Sequence, residues 1–423
     1  MDAGTQRLAA VDEANLVLDH AGQVNVFLVC ATLAPGGFVA DDGAADLGAL
    51  RRTLRTRIDA LPALGRSLIS VGRRHLWRIT VPDLEQHIRL APPVTGVPGL
   101  EALCAQLMCR PLAPDLPLWE ILVVPLGPGG GLGVVFRVHH AVADGMAAAE
   151  ILHGLFDPDA RALVRTATMS RPPTTTAAAR TGVLRYARRV IEGVRRVVMP
   201  ALRRVVGPTV LLGERTPHRG VAFLRADLAS LHERAHRCGA TVNDALLSAV
   251  AAGYRSALHA VGEPIPTELP VSVPVALPRR AKAGNQVGVM LVRLPLHESD
   301  PDARLRLIAA QTRKLKVEAR DQGTFEFMRG PLGARVFDRL ARHQRLVAGF
   351  VTNVPGAPGA FQLAGARVNA LWPVGVLVGN VRLGVAAVSY DGTLACGIHY
   401  DAGTVPGVDF SRAMAAELGA AEA

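Results

Sequence analysis

His139-His140-Ala141-Val142-Ala143-Asp144-Gly145 follows a strand-like run, Val134-Val135-Phe136-Arg137-Val138. A histidine presented at a strand end suits general-base work, because its unperturbed pKa lies near neutrality. An aspartate four positions after His140, followed by glycine, suits a turn that folds back and fixes the site. No Gly-x-Ser-x-Gly elbow accompanies the histidines, so the pattern points to direct transfer rather than an acyl-enzyme. The same HHxxxDG pattern also fits a structural pair of histidines. The rest of the chain has to decide between the two.

Outward from this motif the periodicity is that of a mixed α/β protein. Upstream, Val24 to Leu33, His75 to Ile79, Ile88 to Leu90, Glu120 to Val124 and Gly133 to His139 read as strands. Ala45 to Ile58, with Leu47, Leu50, Leu54 and Ile58 at helical spacing, and Leu100 to Cys109 read as helices. The turn-rich Gly127-Pro128-Gly129-Gly130-Gly131 joins the last two strands, and a helix is expected after Gly145.

From Asp157 to Arg219 the texture changes. Arg171-Pro172-Pro173-Thr174-Thr175-Thr176 reads as a linker. Val183, Ala187, Val190, Val194, Val197 and Ala201 then form an apolar stripe, and arginines occupy the rest of the segment. Two readings stand: a surface helix on anionic lipid, or a crossover helix with a solvated arginine face.

The second part begins near Gly220. Val221 to Asp227, Leu269 to Val275, Val287 to Leu294 and Leu346 to Thr352 read as strands. A helix passes through Leu231 and Ala235, a second opens at Thr241-Val242-Asn243-Asp244 with Thr241 or Asn243 as cap, and a third covers Asp302 to Glu318. Arg382 to Tyr390 and Gly392 to Tyr400 read as a hairpin.

Composition bounds the answer. The 423 residues exceed one ordinary core and predict two or three domains, or two large ones. Hydrophobic residues at 49% and charged residues at 20% belong to a globular protein. The net charge of +11 favours anionic partners, among them acyl-CoA, acidic lipid surfaces and nucleic acid. Nucleic acid is disfavoured, since zinc-ligand spacing, aromatic–basic stacking motifs and a helix-turn-helix signature are all lacking. Cys30, Cys104, Cys109, Cys238 and Cys396 are odd in number and scattered, which argues for a reducing cytosol. The N-terminus does not read as a signal peptide, and no run of about 18 apolar residues predicts a membrane span. A cytoplasmic protein with at most peripheral membrane or lipid-droplet contact is expected.

Further motifs fall in order along the chain: Pro117-Leu118-Trp119-Glu120, Asn243-Asp244, Pro270-Val271-Ser272-Val273, Gly284-Asn285, Thr352-Asn353-Val354-Pro355-Gly356 and Ser389-Tyr390-Asp391-Gly392. Together with HHxxxDG they resemble the bacterial wax ester synthase/acyl-CoA:diacylglycerol acyltransferase family. That family belongs to the CoA-dependent acyltransferase superfamily, with chloramphenicol acetyltransferase and nonribosomal condensation domains. The resemblance covers nearly the whole chain.

It implies an α/β fold of two chloramphenicol-acetyltransferase-like halves, each a mixed sheet with helices, joined by a crossover linker around a central tunnel. The corresponding division is 1–156, a linker 157–219, and 220–423. It implies O-acyl transfer from long-chain acyl-CoA to a fatty alcohol or diacylglycerol. His140 is then the general base, His139 a supporting neighbour, and Asp144 a residue that orients the loop. Gly145 leaves room for substrate. Asn243 is either an amide donor to substrate or a helix cap, and Thr352 and Asn353 are either tunnel-lining or simply turn residues. Trp119 is expected in the core. No metal or redox cofactor is implied; acyl-CoA is a cosubstrate.

The chain departs from the family pattern at Ala113-Pro114-Asp115-Leu116, at Ala10-Val11-Asp12, at Thr352 and at Val381-Arg382-Leu383-Gly384. Two alternatives therefore remain: a natural-product acyltransferase acting on a specialised alcohol or amine, and a non-catalytic lipid-binding protein of the same fold.

Overall fold

The computed structural model describes residues 5–20, 22–71, 74–127, 131–143, 145–156, 205–276, 287–321, 331–356 and 359–422. The proline-rich linker and the arginine-rich stripe of 171–201 lie outside these residues, as do Asp144 and Gly284-Asn285.

In chain order the strands are β1 (Thr5–Arg7), β2 (Val26–Leu33), β3 (Arg66–Val71), β4 (Arg74–Ile79), β5 (Ile88–Leu90), β6 (Trp119–Pro125), β7 (Leu132–His139), β8 (Arg219–Asp227), β9 (Glu268–Ala276), β10 (Val287–Pro295), β11 (Gly349–Val354), β12 (Gln362–Leu363), β13 (Ala366–Val374), β14 (Leu383–Tyr390), β15 (Thr393–Asp401) and β16 (Ala421–Glu422). The helices are α1 (Ala10–Val17), α2 (Leu47–Asp59), α3 (Leu84–His87), α4 (Gly96–Leu107), α5 (Gly145–Leu155), α6 (Leu228–Arg237), α7 (Val242–Ala260), α8 (Pro301–Asp321), α9 (Pro331–Ala341) and α10 (Gly407–Leu418).

Two large mixed sheets carry the architecture. One runs β12-β13-β2-β7-β6-β5, the other β10-β9-β11-β14-β15-β8-β16, and a small sheet β1-β4-β3 lies beside them. In the first sheet Val29, Ala31, Ile121, Val123, Val134 and Phe136 share a core with α2 and α5. In the second, Val271, Val273, Val351, Val385, Ala387, Cys396 and Ile398 share a core with α7 and α10. Each set alternates along its strands, as the period of two requires. The five cysteine thiols are free.

The boundary expected at residue 220 does not partition the sheets. β13 comes from the C-terminal part of the chain but pairs antiparallel with β2, Trp372 opposite Cys30 and Val374 opposite Leu28. Trp372 stacks on Phe223 of β8 at 4.8 Å and 10° between ring planes, so this strand also ties the two sheets together. Where β13 passes over β15 the backbones nearly touch. A Cβ on Gly397 would lie 2.0 Å from the Pro373 carbonyl oxygen, so only glycine fits there. The physical reason for the crossover is that β2 would otherwise leave an unpaired edge in the middle of the protein.

The strand expected at Leu346 to Thr352 is shifted to β11. The Gln344 side-chain oxygen accepts from the amides of Leu346 and Val347, at 2.7 and 2.9 Å, and so holds both out of the ladder. The Tyr390–Thr393 hairpin is present, with Asp391 at φ 44° and Gly392 at φ 75°. Two positive φ angles make the type I′ turn that matches strand twist.

His399 of β15 is buried at the same junction and its Nδ1 lies 2.8 Å from the Gly375 carbonyl. Burial outweighs that hydrogen bond and pulls its pKa down from 6.5 to about 3. Between these values the unfolded chain binds a proton that the folded chain does not. Stability from this group is complete above about pH 6.5 and falls by roughly 1.4 kcal/mol per pH unit as the pH drops toward 3. Urea unfolding at pH 7 and pH 4.5 is expected to show a shallower acid dependence in His399→Asn than in wild type; equal slopes would exclude this contribution.

Candidate active site

β7 ends at His139, and the chain turns at once. The His139 carbonyl accepts from the amides of Val142 and Ala143, at 2.9 and 3.3 Å. The turn sends the two histidines in different directions. His139 is buried, and its Nδ1 accepts from the Ala141 amide at 2.9 Å. Its Nε2 therefore carries the proton and donates to Asp19 Oδ2 at 3.1 Å. Burial raises the Asp19 pKa, but the hydrogen bonds from His139 and from the Asn25 amide outweigh it and keep the carboxyl below its ordinary value.

The segment after α1 thus clamps the motif. Asp19 holds His139, the Asn25 carbonyl accepts from the His140 amide at 3.0 Å, and the Asn15 side chain donates to the His140 carbonyl at 3.2 Å. The Asn25 amide group donates back to the Asn15 carbonyl at 2.8 Å. His139 is thus buried and hydrogen-bonded through both ring nitrogens, and the His140 amide and carbonyl are both held. Asp19, Asn15 and Asn25 were not legible as site residues, because Asp19 and His139 are 120 residues apart in the chain.

His140 faces a cavity of about 360 Å³ between the two sheets. Its ring lies 4.8 Å from that of Phe27, tilted by 58°. The first half supplies β2 and the α5 residues Ala148, Ala149, Leu152 and His153; the second supplies β9, β11 and β14, and β13 closes the wall. The lining is mostly apolar, and its polar side chains are those of His140, His153, Ser272, Thr352 and Tyr390.

Two of these are already engaged. The Tyr390 hydroxyl accepts from the Phe361 amide and donates to the Val368 carbonyl, both at 2.8 Å. Burial pushes its pKa up to about 12, so it serves packing rather than proton transfer. His153 Nδ1 lies 2.6 Å from the Ala149 carbonyl one turn back, and the ring meets Phe361 edge-on. The Ser272 and Thr352 hydroxyls make no hydrogen bond among the described residues and face the cavity. The alternation explains Ser272: Val271 and Val273 are buried in the opposite core, so the serine between them points to the cavity.

Strand parity also corrects two expectations. Thr352 lines the cavity, but Asn353 does not; it alternates to the helix-bearing face, on the side of Val351. Asn243 does not line the cavity either. It lies in the first turn of α7, on the far side of the second sheet, where the cap is Thr241 in a reciprocal capping box with Asp244. Asp144 lies outside the described residues, and Gly145 is the first residue of α5.

A histidine facing an apolar cavity between two mixed sheets is the arrangement that the comparisons with known proteins have to explain. The family profiles make the assignment specific. The wax ester synthase/diacylglycerol acyltransferase catalytic domain matches residues 8–246, and the C-terminal domain of the same family matches residues 283–417. The chain belongs to the wax ester synthase/diacylglycerol acyltransferase family and is an acyltransferase.

A probable diacylglycerol O-acyltransferase of Mycobacterium tuberculosis is 30% identical over 362 residues, covering 78% of this chain and 74% of that protein. A second protein of that species, also named for diacylglycerol O-acyltransferase activity, is 27% identical and covers 94% and 86%. The fold matches the wax ester synthase/diacylglycerol acyltransferase of Marinobacter aquaeolei with TM-score 0.73 at 18% identity, covering 98% of each chain. The first condensation domain of the CDA synthetase matches with TM-score 0.63 at 16% identity, covering 99% and 95%.

Removing the Asp19 carboxylate leaves the buried His139 Nε2–H without an acceptor, at a cost of about 1–3 kcal/mol. Asp19→Ala is expected to lower kcat at least tenfold with little change in KM, and Asp19→Asn, whose amide oxygen still accepts, to recover part of it. Steady-state kinetics of the two variants check this; equal loss in both would show that the charge, not the hydrogen bond, matters.

Proposed function

We propose that the protein transfers a long-chain acyl group from acyl-CoA to the hydroxyl of a fatty alcohol or diacylglycerol, with His140 as general base. The observation that carries this reading is the meeting of His140 with an apolar cavity built from both halves of the chain. An apolar cavity suits acyl chains, and a base with no adjacent nucleophilic serine elbow suits direct transfer. Among the described residues no helix is long and apolar enough to cross a membrane.

His140 takes the proton of the acceptor hydroxyl as its oxygen attacks the thioester carbonyl. The C–O bond forms and negative charge collects on the former carbonyl oxygen. The Ser272 and Thr352 hydroxyls, which line the same cavity, are the proposed donors to that charge. Collapse breaks the C–S bond, and the His140 imidazolium returns its proton to the CoA thiolate. Proton and charge balance within one cycle, so no covalent acyl-enzyme is needed. The lipid-binding alternative has no use for a base whose backbone is held at both its amide and its carbonyl.

The test is CoA release from palmitoyl-CoA with hexadecanol, with a diacylglycerol, and without acceptor. Wild type is expected to release CoA only with an acceptor, and His140→Ala to be slower by about 10³-fold. The double variant Ser272→Ala/Thr352→Val is expected to lose about 10²-fold in kcat at a wild-type unfolding midpoint. Undiminished transfer in His140→Ala would overturn the mechanism, and release only with a polar alcohol or amine would overturn the acceptor class.

A further inference from the structure

A second cavity, of about 530 Å³, opens at the β5 edge of the first sheet. It shares no lining residue with the cavity around His140. Its walls come from the end of α3, from β5 and β6, from the last turns of α4, and from the segment 110–117 that leads into Pro117-Leu118-Trp119-Glu120. Leu103, Leu107, Leu112, Leu116 and Leu122 make the lining largely apolar.

The polar groups in that lining are unbalanced in charge. Three arginines, Arg89, Arg110 and Arg137, face one carboxylate, Glu120. Glu120 is shared: it accepts from Arg89 at 2.5 Å and from the buried Arg137, its cross-strand partner. Arg110 is exposed and its side chain forms no ion pair among the described residues. One carboxylate therefore serves two guanidinium groups, and a third stands at the rim without one.

Two buried polar atoms in the lining also lack partners among the described residues. Arg137 places Nη2 2.7 Å from the Leu107 carbonyl and Nη1 against Glu120, but its Nε–H is unpaired. His87 donates through Nδ1 to the Trp119 carbonyl at 2.8 Å and stacks on the Trp119 ring at 4.3 Å, which leaves Nε2 unpaired. Both side chains are only 2% exposed. Both atoms lie beneath the cavity wall, so a molecule in the cavity meets the rim guanidinium groups and the leucine lining instead.

We infer that this cavity is an accessory binding site for a single-chain anionic lipid, a long-chain fatty acid carboxylate. The excess guanidinium charge meets the carboxylate, the leucine wall takes the chain, and the volume suits one small amphiphile. The site is joined to the chemistry through β7, because Arg137 lies two residues before His139 on the same strand. It is nonetheless separate from the acyl-transfer cavity, so binding here is measured apart from turnover.

The experiment is titration of the protein with 9,10-dibromostearate below its micelle concentration, read as quenching of tryptophan fluorescence; Trp119 is the tryptophan that lines this cavity. Saturable quenching is expected, weakened at least tenfold by Arg110→Glu and by Leu103→Phe, which narrows the cavity without adding a tryptophan. Leu152→Phe, which narrows the acyl-transfer cavity instead, is expected to leave it unchanged. Stearate is expected to compete at least tenfold better than octadecanol. The inference is overturned by absence of saturable quenching, by quenching that survives both Arg110→Glu and Leu103→Phe, by loss in Leu152→Phe, or by octadecanol competing as well as stearate. None of these outcomes depends on acyl transfer, so they leave the test of His140 independent.

Discussion

The antiparallel pairing of β13 with β2 is the contact on which the rest of the molecule depends. It puts a strand from the C-terminal part of the chain into the sheet that carries the histidines, and stacks Trp372 on Phe223 of the other sheet. The gap between the sheets is thereby set by backbone contact, down to the single position, Gly397, where any side chain would strike the Pro373 carbonyl. A cavity bounded on both sides by hydrogen-bonded strands keeps its shape, which acyl transfer requires, since the reacting groups must be held in one geometry.

Within that frame the site is distributed by parity. On β9 and β11 the odd-numbered residues Val271, Val273 and Val351 enter the helix-covered core, while Ser272 and Thr352 face the cavity. The two hydroxyls come from neighbouring parallel strands, Ser272 opposite Phe350 and Thr352 two residues beyond it. On the other side the turn after β7 divides the histidines between two duties. His139 is fixed by Asp19 and the Ala141 amide; His140 lines the cavity.

Much of this was legible in the chain. The strand before HHxxxDG, the histidine pair, the long α7 opening at Thr241-Val242-Asn243-Asp244 and the Asp391-Gly392 hairpin follow from period and turn chemistry. The motif order was enough to place the chain in its family. Asn243 and Asn353 were not correctly legible as site residues, because a motif carries no information about which face of a sheet its helix or strand presents. Asp19, Asn15 and Asn25 were invisible for a different reason: their partners lie more than a hundred residues away, and only Asn25 shares even a strand-adjacent position with its target.

The sequence alone determined most of the element types, the histidine pair at the end of a strand and the family, because these rest on local periodicity and on the order of short motifs. The tertiary structure decided the rest. It placed β13 in the other half's sheet, chose Ser272 and Thr352 over Asn243 and Asn353 as cavity polar groups, and gathered three arginines, His87 and a leucine wall at the β5 edge. Those outcomes depend on which faces pack together, and packing is settled by contacts between residues that are distant in the chain.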